Sequence, residues 1–463
     1  MESRAVAQFW TTLDGPPSQL SRLRVTGPPG TLPSPLPVTD LAVASVAVAG
    51  LAAAELLAVR GGPVRDCTVD RRAVATAFTS ERHLRHDGVA VGGWAPLSGF
   101  FRTQDGWVRL HANYPHHEER LLTALELAAG ADRDAVAARL AERSALAAED
   151  AVTAAGGLAV AVRTPVEWAE SAPGRAASAQ PLVAVDTAGG GGAPGLVPGA
   201  ALPAAGVRVL DLTRVIAGPV ATRTLAYLGA DVLRVDSPHL PELLAAHLDT
   251  GLGKRSTLLD LRSPTGRETL DDLLAGADVV VTGYRAGALD PFGLDAAQLQ
   301  AARPNLVVTS LTAWGDAGPW RARRGFDSLV QAASGIAALT GSSTPTGAAQ
   351  PGVLPAQALD HATGYLLAAA ILRALTRRAG GAGGSTIGAS LARTAAWLIA
   401  APRSRVDGPE ATNDDPEPWL ADLPGPYGVV RHAVPPFRLD GGAPDWATGP
   451  VPWGSSPPRW LDR

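Results

Sequence analysis

From residue 207 onward, short apolar runs take turns with stretches of helical spacing. VRVLDL (207–212), DVLRVD (231–236), STLLDL (256–261), DVVVTG (278–283) and LVVTSL (306–311) are β-branched or apolar and of strand length. GPVATRTLAYLGA, SPTGRETLDDLLAGA and LDAAQLQAARP lie between them, the second opening on Ser263 and Pro264, an N-cap residue and a first-turn proline. Strand and helix alternating at this spacing predict an α/β fold: a mostly parallel sheet covered by helices.

A connector rich in Gly, Pro and Ala at 187–206 precedes this region and has no apolar period. It predicts a boundary between a first part, 1–186, and a second, 207–463. With 463 residues the chain suits two domains or one elaborated domain. In the first part, LAVASVAVAGLAAA at 41–54 reads as a buried Ala-rich helix, too short to span a bilayer, starting near Asp40 and stopping at Gly61 and Gly62. GGWAPLSGFFRTQDGWVRLHANY predicts a hairpin turning at Asp105-Gly106, and 118–150 and 164–172 are helical in period. These elements predict a second, smaller α+β domain. The tail from 402, dense in Pro, Gly and Trp, is expected to wrap the surface in extended form.

The segments VTDLAVASVAVAGLAAAELLAVRGG and ALDHATGYLLAAAILRALTRRAGG echo each other: Asp, an Ala-rich helix, then Arg and paired glycines. Shared composition could produce the same echo, and a true repeat would place Asp40 opposite Asp360.

Composition narrows the function. Net charge is −4, so no global basic field draws nucleic acid or an anionic membrane surface, and any anion must be caught locally. The single cysteine, Cys67, has no disulfide partner, and the N-terminus shows no basic segment followed by an apolar core. Both lead us to expect a cytoplasmic protein.

Four sites could carry chemistry. In TRVIAGPVATRTL a strand ends and a helix opens, so Arg214 and Ala217 border free backbone N–H groups suited to an anion, or only an ordinary tight turn. Lys254, the only lysine, and Arg255 follow a Gly-Leu-Gly loop; a compact ammonium suits a phosphate, although adjacent basic loop residues are often merely solvated. Asp360 opens a helix, where the default duty is capping; a carboxylate there is also expected to stay ionised and to be able to attack a thioester. His111, His116, His117 and Glu118 cluster in HANYPHHEER, but their spacing fits no metal-ligand set, and no metal is expected.

Taken together, VRVLDLTRVIAGPVATRTLAYLGADVLRVDSP, the GKRSTLLDL to WGDAGPW stretch, RRGFDSLVQAASGIAALTG and ALDHATGY closely resemble the family III CoA-transferases, the CaiB/BaiF group, over about residues 206–395. The resemblance implies a Rossmann-like large domain, a smaller second domain and interlocked dimers. It also implies transfer of coenzyme A between an acyl-CoA and a carboxylic acid through a covalent aspartyl intermediate. CoA is then a substrate, and no permanent cofactor is implied. Asp360 matches the nucleophile, Lys254 and Arg255 the basic pair near the CoA phosphates, and Tyr284 the aromatic residue beside the adenine. Gly92 and Gly93 would supply the glycine-rich lid.

Three departures stand out. Phe326 replaces the histidine that precedes the aspartate in racemases of the group, which removes a second acid/base. Gly283-Tyr284 replaces Asn-Phe, and DSPHLPELLAAH replaces an acidic-Pro-Gly-Gly-Asp segment. Domain order is the third: the small domain, normally after the catalytic-aspartate helix, resembles residues 92–170 here, as though the first half were a rearranged partial copy. Such a copy could stand in for a dimer partner. A non-catalytic CoA-thioester binder or an isomerase on the same scaffold are the alternative functions.

Overall fold

The computed structural model describes residues 2–189, 198–343, 349–402 and 415–462. Its main sheet uses seven strands: β1 (Val183–Thr187), β2 (Arg208–Leu212), β3 (Asp231–Asp236), β4 (Arg255–Leu258), β5 (Val279–Thr282), β6 (Val307–Thr312) and β7 (Ser385–Ser390). Their order is β4-β3-β2-β5-β6-β7-β1, with β2 to β7 parallel and β1 antiparallel at the edge. All five apolar runs of the second half are strands of this sheet. The order reverses between β2 and β5, so the loops leaving their carboxyl ends diverge and open a crevice there.

Six helices matter for the site: α1 (Val38–Val59), α2 (Pro115–Ala124), α3 (Ala217–Tyr227), α4 (Asp327–Ser334), α5 (Ala358–Ala379) and α6 (Leu391–Ala400). α1 and α5 each have 22 residues, pack against one another, and carry Asp40 and Asp360 at the third helical position. Burial of Ala and Leu along the contact is complete at Ala42, Val46, Ala53, Leu367 and Ile371. Glu55 of α1 accepts a hydrogen bond from Arg373 Nη1 of α5 at 2.5 Å, so the charges are paired where they leave water.

α1 is longer than its apolar run foretold. At about 33 Å it has the length to cross a bilayer, and its mean hydropathy reaches 2.1. Yet 89% of that apolar window is buried inside the protein.

The first half also forms the small α+β unit. Gly99–Arg102 and Trp107–Leu110 are the expected hairpin about Asp105-Gly106, and Ala159–Ala161 adds a third strand. Its core is separate, built on Phe101, Val108, Leu121, Val136 and Val152.

The boundary at 187–206 does not divide two independent bodies. β1, from the first half, completes the large sheet beside β7, and α1 lies in the same apolar core as α5. Residues 190–197 of the connector lie outside the described residues. The tail joins both halves too: Phe437–Leu439 pairs with Cys67–Asp70, and Gly428–Ala433 with Arg85–His86. Beyond them Trp446, Trp453 and Trp460 donate indole N–H groups to Arg223 O, Asp236 Oδ2 and Leu273 O, pinning the extended tail along the large domain. Residues 403–414, where this tail begins, lie outside the described residues.

Candidate active site

The turn between β2 and α3 is held in an uncommon shape. Val215 has φ +70°, a conformation that a β-branched residue adopts only under constraint. The constraint is Glu242. Its carboxylate accepts from Val215 N at 3.4 Å, from Arg214 at 3.3 Å and from Arg234 at 2.9 Å, and from the Tyr114 hydroxyl at 2.5 Å. Burial alone would raise the Glu242 pKa, but Arg234 and Arg214 outweigh it and hold the carboxyl near 2. Tyr114 stands at the start of α2, so one carboxylate ties the small unit to the edge of the large sheet.

Asp360 is not the cap of its helix. Asp327 is: its Oδ2 accepts from Leu359 N at 2.8 Å and Asp360 N at 3.0 Å, while Gln331 Nε2 donates to its other oxygen. That arrangement leaves the Asp360 carboxyl with no hydrogen-bond partner among the described residues, only 7% exposed and facing a cavity. The expectation of a carboxylate ionised at neutral pH is corrected here. Burial, and then the neighbouring Asp327 charge, push Asp360 well above the carboxylate range. Asp327 itself rises to about 6, chiefly through burial, with its three donors opposing. The proton of the pair therefore sits on Asp360, the member without donors.

The cavity measures about 310 Å³ and opens at the crevice between β2 and β5. Ile216 and Ala217, Leu311 and Ala313, Phe326 and Leu391 supply apolar wall. Tyr284 stands on the rim, its phenol pushed up to about 12 by burial. Five guanidiniums also line it, those of Arg120, Arg214, Arg285, Arg323 and Arg324, against the single carboxyl of Asp360. Arg214, Ala217, Tyr284 and Asp360 are thus brought together as the sequence suggested.

Lys254 and Arg255 are not with them. Lys254 is 3% exposed, and its ammonium donates to Asp211 Oδ2 at 3.0 Å, Pro219 O at 3.0 Å and Thr222 Oγ1 at 2.7 Å. All three protons are spent inside the protein, so a phosphate has nothing left to bind. Burial lowers Lys254 to about 8 and Asp211 stays below its usual value despite its own burial, so the pair is ionised at neutral pH. Arg255 opens β4 at the other end of the sheet's strands. It grips the Asp231 carboxylate with two nitrogens, at 2.9 and 3.0 Å, and donates to Arg459 O. Gly92 and Gly93 lie on an exposed loop near Ala245, outside the cavity wall, so the structure does not place a lid there.

Several residues escaped the sequence reading. His116, His117 and Arg120 on α2 reach the cavity from the first half, and Glu242 comes from the divergent DSPHLPELLAAH segment. The histidines were weighed as metal ligands; among the described residues no group of three His, Cys, Asp or Glu is placed to hold a metal. His117 is pushed down to about 3, first by burial and then by the His116 and His111 charges, and its buried Nδ1 has no partner among the described residues. His111 stacks on Phe326 at 3.8 Å. No local pattern could have signalled these contacts, because they join distant segments, Tyr114 and Glu242 being 128 residues apart.

A doubly wound sheet with a buried carboxyl facing a basic crevice at its topological switch point places the protein in the α/β class. Residues 204–418 match the family described as CoA-transferase family III. The chain is 37% identical over 191 residues to the probable fatty acyl-CoA transferase Rv3272 of Mycobacterium tuberculosis, an overlap of 38% of this chain and 48% of that protein. It is 35% identical over 191 residues to a succinate–glutarate CoA-transferase of Agrobacterium fabrum, covering 37% and 47% respectively. A solved CaiB/BaiF family protein of Brucella suis superposes with a TM-score of 0.39 at 30% identity, over 49% of this chain and 65% of that one. The chain thus spans about half the length of the curated relatives it matches.

Proposed function

We propose that this protein is an acyl-CoA:carboxylate CoA-transferase working through Asp360. The observation that carries the reading is the division of labour between two carboxyls: Asp327 caps α5, which leaves the Asp360 carboxyl without a hydrogen bond among the described residues and open to the cavity. Once ionised, an Asp360 oxygen attacks the thioester carbonyl; the C–S bond breaks, giving a mixed anhydride and the CoA thiolate. The thiolate then attacks the Asp360 carbonyl carbon, releasing the donor acid and leaving an aspartyl-CoA thioester. The incoming carboxylate repeats these steps in reverse and departs as the new acyl-CoA. The acyl group would lie against Phe326, Leu311 and Leu391, which favours an apolar chain.

The first half is, in this reading, a rearranged partial copy that supplies the small domain within one chain. The equal lengths of α1 and α5, with Asp40 and Asp360 at matching positions, support it. The buried Cys67 thiol, raised to about 12 by burial, suits a cytoplasmic setting but does not require it.

Incubation with an acyl-CoA should leave a hydroxylamine-sensitive adduct on the peptide holding Asp360, and Asp360→Ala should lose both adduct and transfer. An alanine variant that still transfers CoA would sink the assignment. Tight CoA binding without exchange for any acid would instead identify a binding protein. One observation favours a second chemistry, proton transfer at the acyl α-carbon: His116 and His117 line the same cavity. Incorporation of solvent deuterium at that carbon would reveal it.

A further inference from the structure

The echo between α1 and α5 extends to a second cavity. Asp360, the third residue of α5, faces the reactive cavity; Asp40, the third residue of α1, lines another of about 370 Å³. That is room enough for a small organic molecule. Three elements wall it: Arg4 and Gln8 come from the helix Glu2–Thr12, Asp40 from α1, and Arg393, Trp397 and Ala400 from α6, with alanine and proline completing the lining.

The two cavities are separate. Leu391, the first residue of α6, lines the reactive one. At about 3.6 residues per turn, Arg393, Trp397 and Ala400 project roughly half a turn away from Leu391, so the second cavity lies on the opposite face of that helix.

Charge and hydrogen bonding decide what fits. Two guanidiniums stand against a single carboxyl, which gives the lining a net positive charge. Arg393 spends its Nε on Gln180 O at 2.7 Å, leaving Nη1 and Nη2 without a hydrogen bond among the described residues. Burial lowers its pKa and no neighbouring carboxylate offsets the effect. The two Nη groups form a fork that takes both oxygens of a carboxylate. Trp397 donates its indole N–H to Gln8 Oε1 at 3.2 Å, so it has no donor to spare; set edge-on to Phe9 at 4.7 Å, it offers an apolar ring. An anion with an apolar body suits this wall. A polyol would leave most of its hydroxyls unpaired against alanine, proline and indole.

We infer that this cavity is a second ligand site, which takes a small organic carboxylate on Arg393 and Arg4 and seats its apolar part on Trp397. The inference goes beyond the transfer chemistry and does not rest on it.

Calorimetric titration of the full chain with benzoate and with hexanoate tests the site, with benzamide as the neutral control. Both carboxylates should bind and benzamide should not. Arg393→Gln and Arg4→Gln should each weaken carboxylate binding on the order of tenfold, the worth of a charge-assisted hydrogen bond. Ala400→Trp, which fills the cavity from an exposed position, should abolish binding. Native circular dichroism and denaturation midpoints would show that the variants fold. A wild-type protein that binds neither carboxylate, or that binds benzamide equally well, would overturn the site. Binding that survives all three variants would do the same, because the carboxylate would then sit elsewhere, the reactive cavity included. Labelling of Asp360 by an acyl-CoA is scored apart, so the transferase reading and this site stand or fall separately.

Discussion

At Asp360 the same feature that makes the carboxyl reachable also keeps it neutral. It has no donor to stabilise the anion and a second carboxyl beside it, so it must shed its proton before it can attack. Adduct formation should therefore rise with pH beyond the ordinary carboxylate range. Asp327→Asn removes the neighbouring charge but keeps an oxygen for the two backbone N–H groups, so the rise should move to lower pH; an unmoved profile would show that Asp327 does not set it. Stability tests the pair independently. The folded Asp327 value of about 6 exceeds its ordinary 3.8, so its contribution is complete below 3.8 and lost as pH rises through about 6. The variant, lacking that loss, should be weaker than the native protein at pH 5 by about 1 kcal/mol for the poorer cap. The gap should narrow at pH 8 in urea unfolding. Lys254 makes the opposite kind of prediction. Lys254→Met leaves Asp211 buried without its cation and should cost about 3–5 kcal/mol, seen as a lower denaturation midpoint.

Elements, not isolated side chains, bring the site together. α5 crosses α3 at Gly364, one turn beyond Asp360, where an added Cβ would lie 2.5 Å from Ala217 O. Backbone cannot yield as a side-chain tip can. Gly364→Ala should separate the two helices, cost about 1–3 kcal/mol and lower adduct formation, because Ala217 and Asp360 wall the same cavity. A variant with native midpoint and native labelling would show that the contact is slack. α1 is the buried Ala-rich helix that its sequence predicts; its full length and hydropathy would also suit a spanning helix, and α5 packed along it accounts for its apolar faces. The sheet strands were legible because β-branched runs buried on both faces leave an uninterrupted apolar record.

Across the whole molecule, the two halves exchange elements in both directions. The first half gives β1 to the large sheet and α2 to the cavity; the tail returns Phe437–Leu439 to the strand Cys67–Asp70. Residues 198–463 expressed alone should therefore fail to fold, since α5 would lose its cover and β7 its neighbour. A cooperative thermal transition of that fragment at the native midpoint would contradict this. Co-expression with 1–189 should restore it if the segment between serves only as a tether.

Local sequence determined the strands and helices of the large sheet, the match of residues 204–418 to CoA-transferase family III and the place of Asp360 at a helix start, because each rests on spacing within a few dozen residues. Tertiary structure alone decided which charges are available. Lys254 is read as a free cation until Asp211 folds onto it, and Arg120 enters no reading until α2 meets the crevice. Availability depends on whether a partner arrives from a distant part of the chain and excludes water, and nothing in the neighbouring sequence records that.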